Sequence, residues 1–531
     1  MQCRASIIFF LAMLGFGRIG LPLVLRQDNT FTNPILWADL ADPEVFRVND
    51  TYYYSASTMH YSPGAPLLRS YDLVNWEFVS HSVPELPGSQ FYLNGSDHAA
   101  YVKGAWASSL GYRQSNGVFY WYGCIQGEGK THIFTASNPE GPWTHHEPIP
   151  TCYYDLGLLI DTDDTMYIAY GAVDIHVAQL SPDGFSEVRS EVVYTEDAHR
   201  YIEGSRFYHI DGNYYIWITK PGDEQHVLKS TSGPWGPYEI REVIAQMKAP
   251  VEGAGAPHQG GLVSTENGDW LYMAFIDVYP GGRVPVLAPI EWDAEGWPQV
   301  VTDAGVNYPA PVQTTKTVEG SGAYVDKFEG DTLGPRWEWN HNPDNDAWIL
   351  SPDGLVLNTA TVCEGLYGAS NTLTQRILGP KSQGTFRLDI SGMIDGDQAG
   401  VTALRQDSAY IGIHKTNGVA QLVYVDGISM DSEQDWLTTS NGYVKAEGPV
   451  IEDADLWLRI KADITPSVLG DSSNIPRYAS FWYSFDCFTG SAALNAEWYF
   501  FMGYRFGVFN WAKKNLGGSL LVKEFALEML D

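Results

Sequence analysis

The chain has 531 residues, 44% hydrophobic and 18% charged, which excludes a disordered or fibrous protein and calls for two or three domains. Acidic residues outnumber basic ones by 64 to 32, and the net charge of −32 repels nucleic acid and anionic membrane surfaces. With 32 Tyr, 18 Trp and 53 Gly, the composition favours strands and turns over helices.

In chain order, residues 1–25 read as a signal peptide or an uncleaved apolar extension. Arg4 supplies a positive start and residues 7–16 an apolar core. The protein is therefore expected to be secreted and extracellular, and sequons at Asn49 and Asn94 agree with that. No other stretch approaches the roughly 20 apolar residues of a membrane span, so no membrane partner is expected.

Residues 26–305 carry a five-fold repeat. A turn followed by an aromatic strand begins at Asp50, Asn116, Asp163, Asp211 and Asn267. Each copy is followed by a polar turn that ends on an aromatic: Trp76, Trp143, Phe185, Trp235 and Trp297. Five strand-rich units of roughly 40–65 residues imply a five-bladed β-propeller. Within this region Cys124 and Cys152 are one candidate bridge, and Cys363 and Cys487, further on, are another. Buried free thiols are the alternative for all four, and no CxxC spacing points to zinc.

The first strand of a propeller blade lines the central channel. About eight to ten residues before each turn lie Asp42, Trp106, Asp155, Glu203 and His258, one per blade. Three carboxylates converging on one channel mouth repel each other and lose solvation, which destabilises the fold unless they do chemistry. Two carboxyls in unlike environments beside an aromatic wall suit glycoside hydrolysis, one as acid and one as base.

Residues 306–323 are rich in Pro, Gly and Thr and read as a linker. From 324 to 531 the five-fold pattern stops and alternating strands follow. In one of them Leu456, Leu458, Ile460, Ala462 and Ile464 share a face. The expected fold is thus all-β, a five-bladed propeller followed by a β-sandwich.

The segments NPILWADLADPEVFRVNDTYYYSAST, GAWASSLGYR, YDLGLLIDTDDTMYIAYG, IEGSRFYHIDGNYYIW, PHQGGLV and GGRVPVLAPIEWDAEGWP, in this order, resemble glycoside hydrolase family 43. VDKFEGDTLGPRWEW resembles the start of the concanavalin-like sandwich that follows many such propellers. The resemblance implies Asp42 as general base, Glu203 as general acid and Asp155 as the carboxylate that raises the acid's pKa. It implies Arg283 beside Asp155, Trp106 as a sugar-stacking wall, and Met59 and His60 in the pocket lining, although many relatives carry Phe where Met59 stands. It places His258 near an axial ion or water, often calcium. Imidazole is a poor calcium ligand, so such an ion would be mostly water-coordinated, and no cofactor is required for the reaction. The stretch around Trp511 reads as an aromatic loop of the sandwich that could reach the substrate. The activity implied is an inverting α-L-arabinofuranosidase acting on arabinoxylan. The alternatives are β-xylosidase and a non-catalytic carbohydrate-binding propeller. The expected partner is a polysaccharide or oligosaccharide, and the expected state is a monomer.

Overall fold

The structure, a computed structural model, describes residues 30–93, 100–196, 201–301, 308–467, 476–484 and 486–531. The 1–25 segment and Asn94 lie outside them. Five four-stranded antiparallel sheets follow one another along the chain. Their first strands are Glu44–Val48, Gly104–Arg113, Gly157–Ile160, Glu203–Ile210 and His258–Ser264. These strands pack against one another around an axis, the fifth closing against the first. The architecture is therefore a five-bladed propeller.

The aromatic strands of the repeat are the second strands of the blades, wholly or nearly buried between neighbouring sheets. Trp76, Trp143 and Trp297 are buried and Phe185 and Trp235 partly so; Phe185 packs on Tyr120 and His146 of blade two, and Trp235 on Tyr167 of blade three. A Cys124–Cys152 disulfide pins blade two. The ring closes through residues 30–40. Thr30–Phe31 pairs with Tyr308–Pro309. Asn33 exchanges hydrogen bonds with the backbone of Leu287, and the Leu40 amide donates to the Arg283 carbonyl (2.8 Å). The N-terminal segment thereby stitches blade one to blade five.

From Tyr324–Asp326 onward two eight-stranded sheets face each other as a sandwich. The alternation read in DLWLRIKAD appears as a strand, Asp455–Asp463, with Leu456, Leu458, Ile460 and Ala462 buried. One expectation fails here. Residues Arg505–Ala512 are an interior strand buried along its whole length, not a loop. The pattern FGVFNW is apolar on both faces because both faces are covered. For Cys363 the structure gives the second alternative, a free, buried thiol; its amide donates to the Ala512 carbonyl (3.1 Å), and the side chain of Cys487 lies outside the described residues.

The two domains share structure. Tyr61–Ser62 of blade one pairs with Trp339–Asn340 and becomes the edge strand of one sandwich sheet. Beside it the fully buried Glu338 accepts from Arg376 (2.8 Å) and Arg505 (2.5 Å) and contacts His81 of the propeller (2.9 Å). The two guanidiniums hold its carboxyl well below the usual range despite its burial. The motif YPGGR in blade five meets the sandwich at Gly503. A Cβ on Gly282, whose φ is +88°, would land on Asp39 and the Gly503 amide. Only glycine permits this backbone approach.

Candidate active site

The axial residues are presented by irregular backbone. Asp42, Gly104, Asp155, Gly204 and Gln259, one per blade entry, all have left-handed φ. The register of the first strand slips between Ala105 and Ser108, between Glu203 and Arg206, and between His258 and Gly261. Such bulges break the period-two alternation and turn a side chain out of the blade. Aspartate tolerates the left-handed region better than most residues, which suits it to positions 42 and 155.

The structure brings Asp42, Asp155 and Glu203 together. Both oxygens of Asp42 accept hydrogen bonds, one from the Ser57 hydroxyl (2.5 Å) and one from Arg283 Nη1 (3.1 Å). Glu203 accepts from the Tyr154 hydroxyl (2.7 Å), and Tyr201 also bonds to it. Burial raises the pKa of Glu203. The tyrosines oppose that rise and the charge of Asp42 adds to it. Asp155 accepts from Gln259 Nε2 (3.3 Å). Its pKa is pushed well up by burial, then by the charges of Glu203 and Asp42. Asp155 and Glu203 thus hold protons to higher pH than isolated carboxyls would, whereas Asp42 is the member that accepts from both a hydroxyl and a guanidinium.

Arg206 explains how the trio stays in place. Its guanidinium donates to the carbonyls of Asp42 (2.9 Å), Pro43 (3.0 Å), Leu156 (2.9 Å) and Ser205 (2.9 Å). One buried cation therefore fixes the entries of blades one, three and four and offsets the negative charge above it. Beneath it lies Glu44, 3.7 Å from Arg206 and bonded to Ser109 (2.5 Å).

Several expected contacts are placed differently. The ion pair of Arg283 is with Asp42, while its charge also acts on Asp155 and lowers its pKa. The chain from Asp39 to Asp42 runs beside the strand that opens with Arg283, and Asp39 accepts the Arg283 amide (2.9 Å). Arg283 Nη2 is buried without a partner, a free donor beside the carboxylates. Met59 (2% exposed) and His60 (0%) do not line an open pocket. His60 is enclosed by Tyr61, Tyr101, His341 and Phe500, and Met59 belongs to the same inter-domain cluster. Trp511 is not on an exposed loop: it is 1% exposed and packs on Tyr410 and Phe509, in the same cluster as Met59. The sandwich instead contributes Phe501. Its ring lies 5.6 Å from that of the half-buried Trp106 and 5.6 Å from the Arg283 guanidinium, and its carbonyl accepts from Arg283 Nε (3.1 Å) and the Tyr279 hydroxyl (3.0 Å). Trp106 is itself held by Nε1 donating to Val102 (2.7 Å).

His258 opens blade five, with Nδ1 2.9 Å from the Ala256 carbonyl and its ring against Phe275. That leaves Nε2 as its one ligand atom. Calcium takes six to eight oxygens, and among the described residues no trio of metal-ligating side chains gathers at His258. The donor set does not fit a protein-caged calcium.

Sequence reasoning missed Ser57, Tyr154, Arg206, Gln259 and Phe501. Arg206 and Gln259 sit three and one residues after axial positions, and Tyr154 immediately before one, so the repeat could have flagged them. Phe501 had no such signal, because nothing local ties it to the propeller.

Carboxyls of unlike environment at a propeller mouth, walled by Trp106 and Phe501, define a carbohydrate-cleaving hydrolase. The family model for glycosyl hydrolases family 43 matches residues 31–298, and that for the β-xylosidase C-terminal concanavalin A-like domain matches 325–526. The chain is 28% identical to a β-xylosidase of Formosa agariphila (95% of this chain, 91% of that one). It is 27% identical to a non-reducing-end α-L-arabinofuranosidase of Bacteroides ovatus (85% and 88%). A solved structure with a TM-score of 0.90 and 48% identity covers 94% of this chain and 100% of its own. It is a family 43 enzyme whose active site was engineered to display both endo-xylanase and exo-arabinofuranosidase activity. The chain belongs to glycosyl hydrolase family 43 and is a glycoside hydrolase of hemicellulose.

Proposed function

We propose that this enzyme is a secreted, inverting α-L-arabinofuranosidase that releases arabinose from arabinoxylan. The observation that carries the chemistry is the contrast between two carboxyls. Burial raises the pKa of Glu203, and Asp42 accepts hydrogen bonds from Ser57 and Arg283. In this reading Asp42 takes a proton from a water as that water attacks the anomeric carbon. Glu203 gives its proton to the departing glycosidic oxygen. The C–O bond breaks as the new one forms on the opposite face, so configuration inverts. Asp155 and Glu203 repel each other when both are ionised, which favours a proton on the pair, Arg283 Nη2 is free to donate to a sugar hydroxyl, and Trp106 and Phe501 close on the ring.

The choice of arabinose is supported by the 48% identical structure. The β-xylosidase relatives favour the second reading. Time-resolved proton NMR on arabinoxylan, with xylo-oligosaccharides in parallel, separates them. Arabinose appearing first as the β-anomer supports the proposal, xylose appearing as the α-anomer favours β-xylosidase, and retained configuration overturns the single-displacement mechanism. Secretion is supported by the apolar segment 1–25 and by the Cys124–Cys152 disulfide, which suits an oxidising compartment. Recovery from the medium with a new N-terminus near residue 26 tests it. A monomer is proposed as well, and light scattering checks it. An axial ion at His258 would be largely water-held, so a chelator that left the Tm unchanged would remove it as a structural element.

A further inference from the structure

A cavity of about 410 Å³ lies on the sandwich domain, between residues 430–439 and 495–499. Its walls include Tyr499, Trp436, Gln406, Asp431, Glu497 and Asn495. Ligand sites typically enclose about 300–1,000 Å³. Three observations distinguish it from an ordinary surface dip.

Tyr499 is 48% exposed and stands against Trp498, which is 49% exposed, with ring centroids 4.6 Å apart. Trp498 in turn lies 5.8 Å from Phe501, and Phe501 lies 5.6 Å from Trp106. A continuous aromatic path therefore joins this cavity to the catalytic mouth. Secondly, Gln406 is only 4% exposed and its buried Oε1 has no hydrogen-bond partner. A buried acceptor of this kind calls for a donor from outside. Thirdly, the walls are acidic and braced. Asp407 accepts from Asn495 (2.6 Å), and Asp431 accepts from the Glu433 amide (2.9 Å) and Gln434 (2.7 Å). No Lys or Arg is among the lining residues. Such walls accept hydroxyl hydrogen bonds and repel carboxylate-bearing sugars.

We infer that this cavity is a subsite for the neutral main chain of the polymer, holding sugar units next to the one whose bond is cleaved. A sugar ring stacks on Tyr499 and one of its hydroxyls donates to Gln406 Oε1. The inference rests on the hydrolase reading above, extending it from the removed sugar to the chain that carries it.

The test measures binding without turnover. Xylotetraose is titrated calorimetrically into Asp42→Ala protein, and into the same protein carrying Tyr499→Ala or Thr439→Arg. Thr439 is exposed on the opposite wall, and an arginine there fills the cavity. Each second change should weaken Kd about tenfold, as expected for one lost stacking contact, and Tyr499→Phe should restore it. In the active enzyme the same changes should lower the ratio of kcat/KM on arabinoxylan to that on an aryl arabinofuranoside. An unmoved Kd with both Tyr499→Ala and Thr439→Arg overturns the subsite. A parent enzyme that hydrolyses neither substrate overturns the activity reading instead, and the titration still decides the cavity.

Discussion

Asp42 and Glu203 sit on different blades, yet each depends on a neighbour that a sequence motif does not announce. Asp42 is oriented by Ser57 and Arg283, and Glu203 by Tyr154. Asp42→Ala or Glu203→Ala should lower kcat by about 10²–10⁴-fold with the fold retained, read by steady-state kinetics beside circular dichroism. Asp155 offers a sharper test, because its charge acts through Glu203. Ionised Asp155 and ionised Glu203 repel each other, so Asp155→Asn removes a repulsion that favours the proton on Glu203, and the alkaline limb of kcat/KM should move to lower pH. An alkaline limb that stays put would show that Asp155 does not tune the acid. The same variant should gain stability. The folded-state pKa of Asp155 is raised, so its cost to the fold is absent below the unfolded pKa and complete above the folded one. The Tm gain of Asp155→Asn should therefore be larger at pH 8 than at pH 4.

The first strands of the blades show how local irregularity makes a site. Alternation alone would bury or expose every second side chain, and it could not aim three acids at one point. The left-handed residues and bulges at the blade entries do that. The short 3₁₀ turn Trp498–Phe500 acts similarly in the sandwich, because it ends in left-handed Phe501 and delivers that ring to Trp106 and Arg283. Phe501→Ala should raise KM about tenfold, the expected scale for a lost buried aromatic wall, with a smaller effect on kcat. A changed kcat at constant KM would instead place the ring's effect on Arg283.

Propeller and sandwich share a sheet and a buried ion cluster, so they should unfold together. Tyr61–Ser62 completes a sandwich sheet, and Glu338 sits between Arg376, Arg505 and His81 with no exposure. Because its folded-state pKa is depressed, the stability Glu338 contributes is present above the ordinary carboxylate range and is lost only as pH falls far into acid. Glu338→Ala strands two buried guanidiniums and should cost about 3–5 kcal/mol. In calorimetry the wild type should melt in a single transition, and the variant should melt earlier or split into two.

Much of this molecule was legible in its residues. Period-two patterns and phased turns are local properties, so the blade number, the sandwich and the axial set of Asp42, Trp106, Asp155, Glu203 and His258 could be counted along the chain. Contacts between distant segments could not. The charge of Arg283 acts on Asp155, but its hydrogen bond goes to Asp42, because the N-terminal segment returns to close the ring beside blade five. Trp511 was read as a substrate contact, yet an aromatic-rich stretch looks alike whether a sheet covers both its faces or solvent reaches one. Met59 and His60 were read as pocket residues and became the seam between domains. In each case the deciding quantity was which surface another part of the chain, hundreds of residues away, came to cover. Hydrophobic burial is non-directional. It therefore sets how much surface is hidden, and the docking of the two domains sets which residues remain to face the sugar.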